Sequence, residues 1–560
     1  MDPLVYLIPP KSRTVVEFGC GDGRLGAAFR QIRPECRYLG IEAEKEQLKE
    51  ARQRLTETIE GTLDTVKPEE QGISTVDCFV YRGSLPEPRS LAGILRRHAE
   101  LLSDDGQMIF WLDYTGYIRH AVDFLRGEQP MRPALPPKEL ISILSAAGMT
   151  VDRVQPVYAK EDEAWRKDET TAAFLRAFAE LCKKHGLGAK TDVWAKAFLL
   201  RAVKQPARRK LLVQSLLGEA LVTARVRLNE PNRFLSTVPG FEARAEQGSI
   251  RIETAEAYPD RILIRQRTTL DDRADGLRMI RDIIGRGYLL LYEMDDSPSR
   301  WAAAHEKTGW LDFAGSHAVQ VSTPALAEEI RPHNPEVRVF LNHLEYLPEK
   351  RIYDDRPEAP VTIFFGALNR EEDWTDIMPV LNQMARHYGE RLRFRVLADQ
   401  KFFGALQTPH KEFVGSKDYY EGRYVPYPVY LQTLRSADIA LLPLHDTLFN
   451  RAKSDLKFIE SAGHGAAVLA SPTVYRATVR DGETGFLYRD PREFRERLTL
   501  LIEDSARRRS LADAAYEYVK HERLLSGHYE ERLDWYKELL ERREELTRAL
   551  EERVAKLEDK

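Results

Sequence analysis

A chain of 560 residues is too long for one ordinary hydrophobic core, so two or three domains are expected. Hydrophobic residues make up 43% and charged residues 31%, a globular composition, and 84 basic against 88 acidic residues leave a formal net charge of −4, which removes any global electrostatic case for nucleic acid. Cys20, Cys36, Cys78 and Cys182 form no C-x-x-C pair, the N-terminus has no basic and apolar leader pattern, and no apolar run approaches the roughly 18 residues of a membrane helix. Neither a zinc site nor a disulfide framework is expected, and a reducing cytoplasm is the expected compartment.

Residues 14–23, T-V-V-E-F-G-C-G-D-G, read as a short apolar strand running into a glycine-rich turn. A helix is predicted over 24–32, a second strand over 38–42 and a helix over 43–59. This βαβα start implies a parallel sheet covered by helices. Glycines at a strand end let a ligand approach the backbone, and the acid closing the second strand, Glu42, can accept hydrogen bonds from both hydroxyls of a ribose. Glu42 stands 19 residues beyond Gly23, the spacing such an acid takes. Further strands are predicted over 76–81, 107–112, 151–158 and 195–203, and helices over 92–102 and 138–147.

The string E-F-G-C-G-D-G at 17–23 resembles motif I of class I S-adenosylmethionine (SAM)-dependent methyltransferases, E/D-x-G-x-G-x-G. The resemblance gives a Rossmann-like domain over 1–204 and implies that Glu17, Gly19, Gly21 and Gly23 hold the methionine part of SAM, with Glu42 on its ribose. After the fourth strand the chain reads Y-R-G-S-L-P at 81–86, with no N-P-P-Y-type motif, so the methyl acceptor is not read. Tyr114 and His120, just past the fifth strand, are candidates for its pocket or plain surface residues. Active methylation and a silent SAM-binding or scaffold role both stay open.

Residues 206–210, P-A-R-R-K, read as a basic linker, after which strands are predicted over 211–215, 261–266, 287–296, 318–322 and 337–341, with helices over 274–284 and 324–330. The alternation argues a second parallel, doubly wound domain over 205–350. Two of its strand ends carry candidate functional groups, E-M-D-D at 293–296 and L-N-H at 341–343, because open α/β sheets place ligands outside the carboxyl ends of their strands. Asp295 and Asp296 are read either as acids that touch an acceptor, Asp295 foremost, or as a turn and cap cluster before S-P at 297–298.

A third domain over 351–527 is predicted from strands at 360–366, 392–397, 410–414, 438–443 and 466–470 and helices at 377–388 and 429–437. Its stretch N-R-A-K-S-D-L-K-F-I-E-S-A-G-H-G at 450–465 reads as a loop rising into a helix, with Lys453 and Ser454 at the start and Lys457 and Glu460 one turn apart within it. Cations and free N–H groups at a helix N-terminus suit a pyrophosphate, and Glu460, further in, can reach ribose hydroxyls. A surface i, i+3 Lys–Glu pair is the alternative.

The string K-S-x-x-K-x-x-E-x-x-x-x-G at 453–465, an apolar strand, and D-G-x-x-G-F at 481–486 together resemble the C-terminal lobe of retaining GT-B glycosyltransferases. The strings I-L-I-R-Q-R at 262–267 and Y-E-M-D-D at 292–296 resemble the N-terminal lobe of a subgroup that builds bacterial surface glycans. The resemblance implies a nucleotide-sugar donor held by Gly366, Asn450, Lys453, Ser454, Lys457 and Glu460, with Arg370 and Lys457 on the leaving diphosphate, where preorganised cations stabilise developing charge. No Asp-x-Asp signature stands in this lobe, and no metal is expected. One position departs from the pattern: Ala452 stands where many members carry a sugar-contacting Glu, so the donor sugar is not read.

Together the resemblances imply an α/β chain of three Rossmann-like units and a bacterial bifunctional transferase. It would act on a glycan, a lipid-linked glycan or a protein such as flagellin, with at most peripheral membrane contact. A glycosyltransferase with a non-catalytic N-terminal domain is the alternative. From 528 to 560 the chain is charged, and Leu539, Leu546, Leu550, Val554 and Leu557 form a narrow apolar seam interrupted by Arg543 and Arg553. This predicts one helix, with a short coiled coil and a homo-oligomer favoured over packing back on the lobes.

Overall fold

The computed structural model describes residues 2–83, 85–114, 117, 135–184, 194–207, 209–218, 221–354, 356, 359–367, 371–415 and 425–558. The chain divides into two compact units, Met1–Arg208 with Ser236–Gly240, and Arg209–Leu235 with Phe241–Lys560.

The first unit is built on a seven-stranded sheet: β1 (Thr14–Phe18), β2 (Arg37–Glu42), β3 (Glu57–Glu60), β4 (Val76–Tyr81), β5 (Leu102–Asp113), β6 (Thr150–Tyr158) and β7 (Ala195–Val203). Their spatial order is β3-β2-β1-β4-β5-β7-β6, with β7 antiparallel between β5 and β6 and the other pairings parallel. Helices cover both faces, so the central strands are near-continuous apolar runs: Val15, Val16, Phe79 and Val80 are each fully buried. Strand β3 corrects the predicted helix over 43–59, which ends at Arg54. E-T-I-E lies at the sheet edge with no buried residue, so no apolar alternation marked it.

The second unit holds two parallel six-stranded sheets. The first lobe contains β8 (Leu211–Leu217), β9 (Phe241–Gln247), β10 (Asp260–Gln266), β11 (Leu289–Met294), β12 (Ala318–Val321) and β13 (Val337–Val339), in the order β13-β12-β11-β10-β8-β9. The second contains β14 (Val361–Gly366), β15 (Leu392–Leu397), β16 (Lys411–Val414), β17 (Ile439–Leu442), β18 (Ala467–Ala470) and β19 (Phe486–Leu487), in the order β16-β15-β14-β17-β18-β19. Strand β9, F-E-A-R-A-E-Q, is a further edge strand whose charged residues hid it. The architecture is thus α/β with three Rossmann-like sheets. Strand order reverses at β1/β4, β8/β10 and β14/β17, the places where an open sheet leaves a crevice for ligand.

The C-terminal segment is two helices, Tyr529–Glu541 and Arg543–Glu558, rather than one. Its seam turns inward: Leu539, Leu546, Leu550 and Val554 are buried, and the last two join Leu263, Leu277 and Ile280 in one core cluster. Each such side chain contributes about 1.5–3 kcal/mol through burial. Arg553, an interruption in the seam, donates to the carbonyls of Ala314 and Ser316 at 3.1 and 2.8 Å. The favoured coiled coil is therefore corrected: the chain's own first lobe covers the surface it would need. Among the described residues no helix is long and apolar enough to cross a membrane.

Candidate functional site

In the first unit the glycine-rich loop leaves β1 at the switch point. Gly19, Gly21 and Gly23 take φ values of 74°, 56° and 81°, in the left-handed region that favours glycine. At Gly19 a Cβ would stand 2.1 Å from the carbonyl oxygen of Arg82, at the end of β4, so only glycine lets these two strand ends meet. The Gly21 N–H donates to Glu42 Oε2 at 2.8 Å, while Ala43 and Glu44 N–H donate to Oε1 at 2.8 and 2.9 Å. Glu42 is thereby fixed at the end of β2, and a carboxylate with about four lone-pair sites keeps acceptor capacity beyond these three bonds.

Glu17 lies beneath the loop, fully buried. Tyr38 donates its hydroxyl to Oε2 at 2.9 Å, Arg82 Nη1 stands 3.6 Å from Oε1, and Oε1 has no hydrogen-bond partner among the described residues. Burial pushes the Glu17 carboxyl up to about 7, against the opposing pull of Arg82 and Tyr38. Of the two acceptor-pocket candidates, Tyr114 packs edge-on against Phe198 at 5.0 Å, and His120 lies outside the described residues.

In the second unit one cleft, with a cavity volume of about 330 Å³, gathers most of the other predicted residues: Asp295, Gly366, Lys453, Ser454, Lys457 and Glu460 line it. The sequence folds this way locally because Leu456–Gly463 is a short amphipathic helix whose Phe458, Ile459 and Ala462 pack into the core of the second lobe. That packing aims the N-terminus of the helix at the end of β14. Asp455 makes no side-chain cap bond there; its carboxylate pairs with Arg523 at 2.9 Å instead. Lys457 Nζ donates to the Gly366 carbonyl at 2.6 Å.

Glu460 is 3% exposed, which removes the reading of a surface Lys–Glu pair. Its two oxygens accept from the Tyr427 and Tyr430 hydroxyls at 2.7 and 2.6 Å. Burial raises its pKa, while Lys457 and the two tyrosines oppose the shift. Asp295 and Asp296 are not caps: Ser297 caps the short helix Pro298–Trp301 by accepting from the Ser299 N–H. Both acids face the cleft, where Lys453 Nζ of the second lobe stands 3.1 Å from Asp296 Oδ1. Burial raises the Asp295 pKa against the pull of Arg267 and Arg227.

Among the described residues, one predicted donor contact is not brought to the cleft. Asn450 is buried, and its amide donates to Asp373 Oδ1 at 2.7 Å and to the His445 carbonyl at 3.1 Å, a role within the loop. Arg370 lies outside the described residues. Ala452, the departure from the glycosyltransferase pattern, sits 2% exposed among Tyr292, Met294 and Phe313 of the first lobe, where a carboxylate would be stranded in apolar surroundings.

Sequence reading missed several lining residues. Arg267 follows β10 with φ 49°, a costly conformation for a side chain of its size, and its guanidinium stacks 5.0 Å over Trp301 and lies 3.5 and 3.7 Å from Asp295 and Asp296. Ala398, at φ 68°, lines the same cleft after β15. Arg227 stands on the one-turn π-helix Arg225–Asn229 and donates to Glu293 Oε1 at 2.7 Å and to Asn342 Oδ1 at 2.9 Å. Asn342 in turn donates to Ser454 Oγ at 2.8 Å, so a partly buried chain of bonds links the two lobes beside the helix N-terminus. The Arg267 signal was within reach, since it ends the string at 262–267 at a strand terminus; the π-helix had none.

Residues 16–108 match the family model described as "Methyltransferase domain", and residues 379–541 match "Glycosyl transferase-like". The chain carries a methyltransferase domain and a glycosyl transferase-like domain. Among solved structures, the chain is similar to the mitomycin 7-O-methyltransferase MmcR at 16% identity, covering 36% of this chain and 54% of that one, with a TM-score of 0.24. It is similar to a mutant of S. aureus TarM, solved in complex with fondaparinux, alpha-GlcNAc-glycerol and UDP, at 11% identity over 50% of this chain and 55% of that one, with a TM-score of 0.34. Sucrose-phosphate synthase from Thermosynechococcus elongatus is similar at 13% identity over 59% of this chain and 99% of that one, with a TM-score of 0.43. The chain spans only 54 and 55% of the lengths of the first two. No curated protein matches the chain.

Proposed function

We propose that the chain is a bifunctional transferase of glycan assembly. Its second unit would move a sugar, with retention, from a nucleotide-sugar to a glycan, lipid-linked glycan or protein acceptor, and its first unit would bind SAM and methylate an acceptor. The observation that carries the reading is the convergence of Ser454, Lys457 and buried Glu460 with the N-terminus of one helix on a single cleft. The leaving diphosphate gathers negative charge as the glycosidic bond breaks. Helix N–H groups and Lys457 oppose that charge, and preorganised donors of this kind are each worth about 10²–10³ in rate. Arg370 is kept as a second cation for the same group. Glu460 is held by two tyrosines in a position to accept from ribose hydroxyls, and Asp295, on the opposite wall, is assigned to the acceptor.

SAM fits the first unit through the left-handed glycine loop at the β1/β4 switch point and through the fixed Glu42 carboxylate. When bound it supplies an electrophilic methyl group. One observation favours the second reading, a binding module: the residue that follows β4 beside the loop is Arg82, and a guanidinium cannot serve as a base. Calorimetry with nucleoside diphosphates and monophosphates tests the glycosyltransferase reading. Wild type is expected to prefer the diphosphate of one base, and Lys457→Met to lose that preference; equal affinity for both in the wild type contradicts it.

A further inference from the structure

The two strand ends at the β1/β4 switch point carry opposite charges with unequal access to solvent. Glu17 is fully buried, and its Oε1 lacks a hydrogen-bond partner among the described residues. The Arg82 side chain is 31% exposed, and its Nη1 lies between Glu17 Oε1 at 3.6 Å and Asp2 Oδ2 at 3.5 Å. Both contacts exceed ordinary hydrogen-bond length and both use Nη1, so among the described residues the two carboxyl groups orient the fork without saturating its five donors. The backbone adds precision, because the Arg82 N–H donates to the Phe18 carbonyl at 2.8 Å and the Arg82 carbonyl occupies the space of a Gly19 side chain. Asp2 is itself fixed, since its Oδ1 accepts from the Leu4 N–H at 3.0 Å as the cap of Pro3–Tyr6.

Charge then decides the ligand's orientation. Among the described residues, the other Asp, Glu, Lys, Arg and His side chains at these strand ends and on the loop are acids, Glu17, Asp22 and Glu42, with Asp22 already paired to Arg24 at 2.7 Å and Arg54 at 3.2 Å. SAM carries two positive groups, the sulfonium and the ammonium, and a single negative one, the methionine carboxylate. The positive groups suit the acids, and the carboxylate needs a cation with open N–H donors at the loop. We propose that Arg82 receives the methionine carboxylate of SAM, and that Glu17 and Asp2 are positioning residues that hold its guanidinium at the switch point. This rests on the SAM reading of the first unit and adds to it the residue that orients the ligand.

The experiment is calorimetry of the full chain with SAM and with decarboxylated SAM, which differs only by the carboxylate. Wild type is expected to prefer SAM by roughly 10- to 100-fold, the worth of one charge-assisted contact. Arg82→Gln is expected to bring the two affinities to parity while leaving that for decarboxylated SAM unchanged, which also reports that the variant is folded. Arg82→Lys should retain part of the preference. A wild-type ratio in Arg82→Gln, or an equal loss for both ligands, overturns the assignment. Wild type binding neither ligand removes the SAM reading itself, an outcome distinct from those two.

Discussion

The contact between the glycine loop and β4 can be tested by adding one carbon. In Gly19→Ala the new Cβ would lie 2.1 Å from the Arg82 carbonyl oxygen and 2.8 Å from its carbon, so the end of β4 must retreat by ~1 Å to reach a normal contact distance. That retreat is opposed by the Arg82 N–H bond to Phe18 and the Gly19 N–H bond to Ile41, both 2.8 Å. Gly72→Ala supplies the control, because Gly72 has nearly the same φ, 71° against 74°, and nothing within 4 Å of the added carbon. The backbone penalty, about 1 kcal/mol, is common to both. Steric overpacking adds about 1–3 kcal/mol at Gly19 alone. Hydrogen exchange of the β1 and β4 amides reads the cost locally. Gly19→Ala should speed exchange there and weaken SAM by about tenfold or more, equivalent to at least 1.4 kcal/mol, while Gly72→Ala does neither. Matching exchange and matching SAM affinity in the two variants would refute the argument.

Burial sets three other expected outcomes. The folded-state pKa of Glu17 is raised from 4.5 to about 7, so the folded protein holds a proton that the unfolded chain has released between those values; stability falls as pH rises through that window, by about 3 kcal/mol in all, and is flat above it. Glu17→Gln should remove this slope, and parallel stability profiles of variant and wild type from pH 4.5 to 7.5 would sink the idea. Ala452→Glu would place a carboxylate among Tyr292, Met294 and Phe313 and should cost ~2 kcal/mol or more in chemical denaturation; a neutral change would show that the site is open to water. Leu550→Ala should cost about 2–5 kcal/mol through the cavity it leaves, with no change of mass in light scattering, and a drop in mass would restore the coiled-coil reading.

Local strings with strong constraints could be read directly. Residues 14–23 announce a strand and a glycine loop because each glycine there takes a positive φ, and residues 453–465 announce a helix start because the charged side chains precede a buried apolar stripe. Edge strands could not be read in this way. Strand β3 and strand β9 are polar, pair with a single neighbour and owe their existence to that neighbour rather than to their own pattern. The cleft itself was half legible. Lys457 and Glu460 are one turn apart in sequence, but the tyrosines that hold Glu460 lie about 30 residues upstream, and Arg227 and Arg267 come from the other lobe. Asn450 was misassigned because a loop amide beside a charged motif looks the same whether it faces a ligand or, as here, Asp373. The C-terminal seam was misassigned for a similar reason: apolar spacing shows that a helix face will be covered, not by what.

The central claim is that the cleft binds a nucleotide-sugar through Glu460 and the helix that carries it. The most direct test incubates the purified protein with UDP-, GDP-, dTDP- and CMP-sugars and measures nucleotide release by wild type and Glu460→Ala. Slow release from one donor, lost in the variant, is the predicted result. No release from any donor, together with no nucleotide binding, would contradict the account.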